Sequence, residues 1–291
     1  MKWNRWLWRV LGVAGVLAFG SAAVQSCGTG QGIGPLPTTT TTTTISASTG
    51  GFPDASNTGV PASVTLTPYT GPNPITTDGT VIDGQDFGVG TTVRIDANNV
   101  VIRNSQMGQI YLETGSNLQV SYSTINGSAR GCNGDDAVQY GNYSLDHVKV
   151  LNFSDGPRVS DNNVSITNSY ILACFNAGDH ADGIQGYQGG TNVLIQHNTI
   201  DSTSRTKANS AIFFADDSLS ATITDNYLAG GQYVLQPLTS ADGTGRYTVT
   251  DNVIVNNSWE YGPCNVNVAA NVVWSGNELS NGTALPVDSC G

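Results

Sequence analysis

The stretch Asn192-Val193-Leu194-Ile195-Gln196-His197-Asn198-Thr199-Ile200 decides the fold of this chain. Within it, Ile195 is followed by three polar residues, one variable residue and a second apolar residue, Ile200. Nine copies of this phrase occur, at Ile82 to Phe87, Ile102 to Met107, Val120 to Ile125, Leu145 to Val150, Ile166 to Ile171, Ile195 to Ile200, Ile223 to Leu228, Val249 to Ile254 and Trp274 to Leu279. So regular a recurrence predicts a repeat protein.

The spacing of the phrases indicates the kind of repeat. From Ile82 to Trp274 the eight steps cover 192 residues, a mean of 24, and single steps range from 18 to 29 residues. The phrases are rich in Val, Ile, Thr and Tyr and are separated by Gly, Asn, Asp and Ser, which is typical of short strands joined by bends. Leucine-rich repeats share the period but need a ladder of Leu residues, which this sequence does not have. The sequence predicts an all-β solenoid of about nine or more coils, with an inward ladder of Ile102, Val120, Ile166, Ile195 and Ile223.

A column of asparagines accompanies this ladder. Asn198, Asn226, Asn252 and Asn277 occupy equivalent places in four phrases. Asn tolerates the left-handed backbone that a tight bend requires, and stacked Asn side chains bond to one another from coil to coil. We therefore expect these four residues to adopt that backbone and to form a stack.

The N-terminal region carries export signals. Three basic residues precede an apolar run from Val10 to Val24, which is typical of a signal peptide and short for a membrane-spanning helix. The run ends just before Cys27, in a segment that resembles the cleavage site of bacterial lipoproteins. We expect a signal peptide at residues 1–26 and lipidation of Cys27, with ordinary secretion as the alternative.

A linker is expected between the signal and the folded part. Residues 27–50 are rich in Gly, Pro and Thr, include the unbroken run Thr38 to Thr44, and carry almost nothing apolar to bury. The β-solenoid is therefore expected to occupy residues 51–291, which is long enough for one large core. The predicted location is secreted or anchored to the cell envelope, and we expect a monomer.

The charge of the chain restricts its partners. Cleavage at Cys27 leaves 8 basic and 22 acidic residues, a net charge of −14. Such a surface repels nucleic acid and anionic membranes, so we expect no nucleic-acid partner and membrane contact only through the lipid anchor. It also disfavours a polyanionic substrate unless a cation such as Ca²⁺ intervenes.

The remaining four cysteines are expected to form two disulfides, because their number is even and the compartment is oxidising. Cys264 and Cys290 lie 15 and 16 residues after equivalent residues of adjacent coils, so we predict that they pair. Cys132 and Cys174 are left as the second pair, although about two coils separate them.

The phrases resemble a known superfamily. Asn98 to Ser105, Asn163 to Ser169 and Asn192 to Ile200 are similar to coils of the pectate-lyase-like superfamily of right-handed parallel β-helices. The segment Phe52 to Pro61, with Thr77 to Gly84, resembles β-helix proteins of actinobacteria and phages. The resemblance implies a right-handed parallel β-helix. It does not imply one activity, because the superfamily includes lyases, hydrolases, epimerases and adhesins.

A second strand column precedes the first in each coil. If Val138, Val159, Ile184, Ile212 and Val234 point inward, the alternation of strand side chains turns their neighbours outward into one strip. Such a strip suits a sugar chain. The candidate substrate-binding residues on it are Gln139, Tyr140, Gln185 and Phe213, and Arg158 and Tyr233 are expected to face outward as well.

Acidic residues and one histidine collect where this column begins. The column would place Asp136 and Asp182 at one level, and Asp155 and His180 at another. Paired carboxylates hydrolyse glycosides as acid and base, a His beside an Asp is a tunable base, and grouped Asp residues bind Ca²⁺. The alternative to catalysis is a structural role: Asp residues before a strand commonly cap bends, and His180 would then be a structural or surface residue. Ca²⁺ is the one cofactor that we consider, and no metal ligands are assigned.

Two resemblances bear on catalysis. Gly134-Asp135-Asp136 resembles the double-Asp motif of polygalacturonases, which implies that Asp135 and Asp136 are acids, and Arg205-Thr206-Lys207 faintly resembles their later basic pair. Where polygalacturonases have Gly-His-Gly, this chain has Asp179-His180-Ala181. Pectate lyases use a basic residue to abstract a proton, a role for which Arg158 is the candidate. The full catalytic set is His180, Asp182, Asp136, Asp135 and Arg158.

Two functions from different classes remain open at this point. The first is an enzyme that acts on an extracellular or envelope polysaccharide, either a lyase or a glycoside hydrolase. The second is a non-catalytic glycan-binding or adhesin-like surface protein, which the linker and the anchor favour. In both cases the expected partner is a polysaccharide or glycan.

Overall fold

The structure is a computed structural model that describes residues 51–128, 131–186, 188–203, 208–214, 219–238, 245–266 and 271–291. The predicted signal peptide, Cys27, the linker and Arg205-Thr206-Lys207 lie outside the described residues. No helix in the described ranges is long and apolar enough to cross a membrane.

The described residues form 26 strands and one short 3₁₀ helix, Val287–Ser289. The first thirteen strands are β1 (Thr67–Pro68), β2 (Val81–Asp83), β3 (Gln85–Asp86), β4 (Val93–Ile95), β5 (Val101–Arg103), β6 (Gln106–Met107), β7 (Ile110–Leu112), β8 (Leu118–Ser121), β9 (Thr124–Asn126), β10 (Asn133–Gln139), β11 (Tyr143–Asp146), β12 (Lys149–Val159) and β13 (Val164–Thr167). The other thirteen are β14 (Tyr170–Ala173), β15 (Asp182–Gly186), β16 (Gly190–Gln196), β17 (Thr199–Asp201), β18 (Ser210–Phe214), β19 (Leu219–Thr224), β20 (Tyr227–Ala229), β21 (Tyr233–Leu238), β22 (Arg246–Thr250), β23 (Val253–Ile254), β24 (Gly262–Val266), β25 (Asn271–Ser275) and β26 (Glu278–Leu279).

The strands stack into a parallel β-solenoid, as predicted. One sheet has nine strands, one for each phrase, and every neighbour in it is parallel. Ile166 pairs with Ile195, and Ile195 pairs with Ile223, so the apolar residue that opens each phrase faces the same residue of the next coil. The inward ladder is confirmed, because its five residues are at most 2% exposed.

The other two sides of the coil belong to a second sheet. One side precedes the nine-stranded sheet in each coil and includes β7, β10, β15 and β18, and the other side follows it and includes β9, β14 and β17. The long strand β12 serves both sides, since its first residues pair with β9 and its last residues pair with β15. The solenoid makes about six turns rather than nine or more. The strands that follow the nine-stranded sheet shorten to two residues toward both ends, in β6, β23 and β26. The right-handed sense of the coil stays a prediction.

The four asparagines form the predicted stack, which we call the Asn ladder (Asn198, Asn226, Asn252 and Asn277). The Nδ2 of Asn226 donates to the Oδ1 of Asn252 at 2.9 Å and to the carbonyl oxygen of Ile195 at 2.9 Å. The prediction of a left-handed backbone at these residues was wrong. The left-handed residue is the one before each Asn, for example His197 (φ 53°) before Asn198, because the bend must be complete before the Asn side chain can turn inward.

Both predicted disulfides are present. Cys132 bonds to Cys174, and Cys264 bonds to Cys290. The Cys264–Cys290 pair attaches the C-terminal segment to the last coils. The Cys132–Cys174 pair joins the segment before β10 to the segment after β14, with the two Cα atoms 5.6 Å apart.

Candidate functional site

One outward row of side chains runs along the side of the solenoid that precedes the nine-stranded sheet. Strand register places the following residues side by side on successive coils, and we call them the groove row: Tyr111, Gln139, Arg158, Gln185, Phe213 and Gln236. Gln139, Arg158, Gln185 and Phe213 were predicted on this strip. The register confirms that they are neighbours.

The predicted register was wrong at two coils. Val138 pairs with Pro157 rather than with Val159, and Ile212 pairs with Leu235 rather than with Val234. Several aliphatic residues in succession are buried here, so the apolar pattern alone did not identify which one faces inward. As a result Tyr233 lies outside the groove row, and Gln236 takes the place predicted for it.

A second row lies three residues earlier on the same strands. Asp136 pairs with Asp155, Asp155 pairs with Asp182, and Asp182 pairs with Ser210. We call the three aspartates the acid row. The prediction had placed Asp155 level with His180 instead, as a consequence of the register error. The acid row contains three carboxyl groups from consecutive coils, on strands spaced about 4.8 Å apart.

Glycines lie between the two rows in two of the coils. Between the two rows stand Gly156 and Gly183, and a Cβ added to Gly156 would lie 1.8 Å from the carbonyl oxygen of Gly183. A Cβ added to Gly183 would lie 2.5 Å from the carbonyl oxygen of Ala211. The backbones therefore approach too closely for a larger side chain at either glycine.

Arg158 is the centre of the polar contacts. Its Nη2 lies 2.8 Å from Oδ1 of Asp136 and 4.0 Å from Oδ2 of Asp155, and it donates to Oε1 of Gln185 at 2.6 Å. One guanidinium thus contacts two members of the acid row and one neighbour in the groove row. Its side chain is 29% exposed, so the cluster is open to solvent on the Arg158 side.

Asp182 is the most enclosed of the three acids. It is fully buried, and its two carboxyl oxygens accept hydrogen bonds from Nε2 of Gln185 at 3.2 Å and Nδ2 of Asn209 at 3.1 Å. Asn209 in turn accepts from Nε2 of Gln236 at 3.0 Å. These amides hold Asp182 in place and position Gln185 beside Arg158.

The acid row holds protons at neutral pH. Burial raises the pKa of Asp136 to about 6, against the lowering effect of the Arg158 charge. Burial, followed by the charge of Asp136, raises the pKa of Asp155 to about 7. Burial, followed by the charge of Asp155, raises the pKa of Asp182 well above its ordinary value. Since the three carboxyls interact, they titrate as a group, and the row is partly protonated between pH 6 and 7.

The other predicted residues lie outside these two rows. His180 is exposed in the loop before β15, and Asp135 is exposed beside Asp136. Tyr140 follows the groove row by one residue and turns toward Tyr111, with the two hydroxyl oxygens 2.9 Å apart. The catalytic roles predicted for His180 and Asp135 stay predictions.

Residues that the sequence reasoning left out complete the site. The sequence pattern places Asp155 among the acids of the column but not in the catalytic set, and it gives no sign of Tyr111 or Asn209. A signal for Asp155 was present, because Asp136-x-x-Gln139, Asp155-x-x-Arg158 and Asp182-x-x-Gln185 share one spacing. Alignment on the acids rather than on the aliphatic residues gives the observed register.

The loop before β15 is tied to the strand that carries Asp136. Nδ2 of Asn176 donates to the carbonyl oxygen of Cys132 at 3.3 Å and to Oδ2 of Asp179 at 2.9 Å, next to the Cys132–Cys174 disulfide. The disulfide therefore fixes the two segments that lead into the strands of Asp136 and Asp182. Within the described ranges no group of three or more His, Cys, Asp or Glu side chains is arranged to hold a metal ion, so Ca²⁺ has no assigned ligands here.

No protein-family model matches the chain, and no curated protein or solved structure shows significant similarity to it. The parallel β-solenoid is established by the structure alone, and membership of the pectate-lyase-like superfamily stays a prediction.

Proposed function

We propose that this protein is an exported glycoside hydrolase that acts on an uncharged polysaccharide. The observation that carries the proposal is the pairing of Asp136 and Asp155 around Arg158, with pKa values of about 6 and about 7. Between these values one carboxyl is ionised while its neighbour holds a proton. That is the combination of one carboxylate and one carboxylic acid that glycoside hydrolysis requires.

The roles follow from charge and exposure. Asp155 holds its proton to higher pH and is the more exposed of the two, with 16% of its side chain accessible against 5% for Asp136. Asp155 donates its proton to the oxygen of the leaving sugar as the bond from that oxygen to the anomeric carbon breaks. Asp136, ionised beside the guanidinium, bonds to the anomeric carbon as the leaving oxygen departs, since carboxyls on strands about 4.8 Å apart match the roughly 5 Å separation of double-displacement enzymes. Water then displaces Asp136 from the anomeric carbon and gives its proton to the Asp155 carboxylate, which restores both groups.

The charge of the site supports an uncharged substrate. The cation of the groove row nearest the acids, Arg158, already lies 2.8 Å from Asp136. The chain as a whole is acidic, which repels polyanions. These charges favour hydrolysis of a neutral glycan over elimination on a uronate. The two disulfides suit a protein that is exported to an oxidising compartment.

A second candidate function is glycan binding without turnover. It is favoured by Asp182, whose two carboxyl oxygens are both hydrogen-bonded to amides, as in a structural acid. In that case the groove row would hold a sugar chain and the acids would only maintain its shape.

The test is release of new reducing ends from neutral polysaccharides by the full chain. We expect Asp155→Asn and Asp136→Asn each to lower the rate by at least about 100-fold. The rate of the wild type should peak between pH 6 and 7, where Asp136 is ionised and Asp155 is protonated.

Asp96→Asn is the matched control, since Asp96 lies just after β4 and outside both rows. It should keep the wild-type rate. If the protein binds a glycan but releases no new reducing ends from it, the second candidate is supported. Equal rates for Asp155→Asn and the wild type would refute the first.

A further inference from the structure

An aromatic pair stands at one end of the groove row. The rings of Tyr111 and Tyr140 meet edge to face with centroids 5.3 Å apart, and their hydroxyl oxygens are 2.9 Å apart. Behind Tyr111, the guanidinium of Arg94 lies 5.4 Å from the ring centroid. Tyr140 is 39% exposed, so it presents its ring to solvent while Tyr111 supports it.

The backbone at Tyr140 is unfavourable for a tyrosine. Its φ is 75°, in the left-handed region where a large side chain costs energy and glycine does not. A bulky aromatic residue in such a position is destabilising to the fold unless its side chain is held, and here the hydroxyl contact with Tyr111 holds it. That contact also raises the pKa of Tyr140 to about 12, so the ring system stays uncharged.

The distances along the row suit an extended chain of sugars. Successive coils are about 4.8 Å apart, which is close to the length of one sugar residue in an extended polysaccharide. Tyr140 directly follows Gln139, which is the neighbour of Arg158 on the adjacent coil, so it lies one coil, roughly 5 Å along the axis, from Arg158. Phe213 lies two coils beyond Arg158 on the other side, so an aromatic ring stands at each end of a polar centre.

The charges at this end are also compensated. Arg94 forms an ion pair with Glu113 at 2.7 Å, as Arg158 does with Asp136 at 2.8 Å. An anionic sugar would have to displace a carboxylate from either arginine. A neutral ring, with apolar C–H faces and hydroxyl edges, fits an amphipathic tyrosine without that cost.

We propose that Tyr140 is a sugar-binding platform, positioned by Tyr111, that holds one ring of a neutral glycan lying along the solenoid axis, with Phe213 as the platform at the opposite end. This inference rests on the proposed function for its substrate class. It adds the direction of the chain and the residues that bind it away from the acids.

The test uses Asp155→Asn as the background, so that binding is measured without turnover. The probes are the hexasaccharides of cellulose, xylan, mannan, β-1,3-glucan and chitin, titrated by calorimetry. We expect at least one to bind, and Tyr140→Gly to weaken its binding at least 10-fold. Since glycine relieves the strained backbone, Tyr140→Gly should melt within about 3 °C of its parent.

Tyr122→Gly is the control. Tyr122 is also left-handed (φ 45°) and 41% exposed, but it stacks on His147 at a different corner of the coil. It should leave binding unchanged. If both substitutions weaken hexasaccharide binding equally, or if Tyr140→Gly does not weaken it, the platform is overturned. Loss of hydrolysis in Asp155→Asn would in that case still support the proposed function. If no hexasaccharide binds, both the platform and the neutral substrate are overturned.

Discussion

The Asn ladder and the acid row are two stacks of polar residues in the same solenoid, and they differ in chemistry. Each amide of the Asn ladder both donates and accepts, so Asn226 donates to Asn252 and accepts from Asn198, and all four side chains are at most 4% exposed. The carboxyls of the acid row only accept when ionised. They cannot satisfy one another, and they depend on Arg158, on amide neighbours and on bound protons.

The difference separates a stack that stabilises the fold from one that is a candidate functional site. A stack that satisfies itself stabilises the coils and needs no ligand. A stack that raises the pKa of its own members costs stability at neutral pH. Such a cost at one position of the coil is typical of a catalytic or binding site.

The Asn226→Ala substitution breaks the Asn ladder and tests whether it stabilises the fold. This change removes the buried hydrogen bonds that the Asn226 side chain makes with the backbone oxygen of Ile195 and with the side chains of Asn198 and Asn252. We expect the free energy of unfolding to fall by about 4 kcal/mol, because several buried groups lose hydrogen bonds at once. Chemical denaturation at pH 7 measures it.

Asn192→Ala is the matched control. Asn192 also bonds to an Asn of the coil before it, Asn163, at 2.9 Å, but it is exposed. Its loss should cost under about 1 kcal/mol, since water replaces the bond. A similar cost for both substitutions would mean that the Asn ladder does not stabilise the fold through its buried hydrogen bonds.

An effect of similar size is expected from pH. Because the folded pKa values of Asp136 and Asp155 lie above the unfolded value, the folded chain binds more protons between about pH 4 and pH 7. The free energy of unfolding should therefore fall with rising pH, by about 4 kcal/mol between pH 5 and pH 8. Aspartates with lowered pKa, such as Asp83 and Asp146, titrate below this window.

Asp155→Asn provides the comparison for this prediction. It removes one raised carboxyl, so its stability should depend less on pH and exceed that of the wild type at pH 8. Thermal unfolding of both proteins measured from about pH 5 to pH 8 tests this prediction. A wild type whose stability rises from pH 5 to pH 8 would contradict the account.

Much of the fold was predictable from the sequence. The phrase around Ile195 repeats an apolar residue at one inward position, so strand register follows from the phrase itself, and Asn198 with its equivalents follows too. The disulfide Cys264–Cys290 was predictable for the same reason, because equivalent positions on adjacent coils are close in space.

The site was predicted only in part, because its strands lack a repeated phrase like the one around Ile195. Val138, Pro157 and Ile184 face inward on the strands of the groove row, while Val159 and Val234 are buried as well, so burial and hydrophobicity do not distinguish the register there. An error of one or two residues placed Asp155 away from Asp136. Tyr111 was missed because its partnership with Tyr140 depends on a left-handed backbone that no local pattern indicates.

The most direct test of the account is a carboxyl ¹³C NMR titration of the aspartates in the full chain. We predict two of the site carboxyls to titrate near pH 6 and pH 7, for Asp136 and Asp155, while an ordinary Asp titrates near about 4. In Asp136→Asn the midpoint of Asp155 should fall, because a neighbouring negative charge is gone and Arg158 is released. If every aspartate titrates below about pH 5, the acid row holds no proton at neutral pH, and the central claim is wrong.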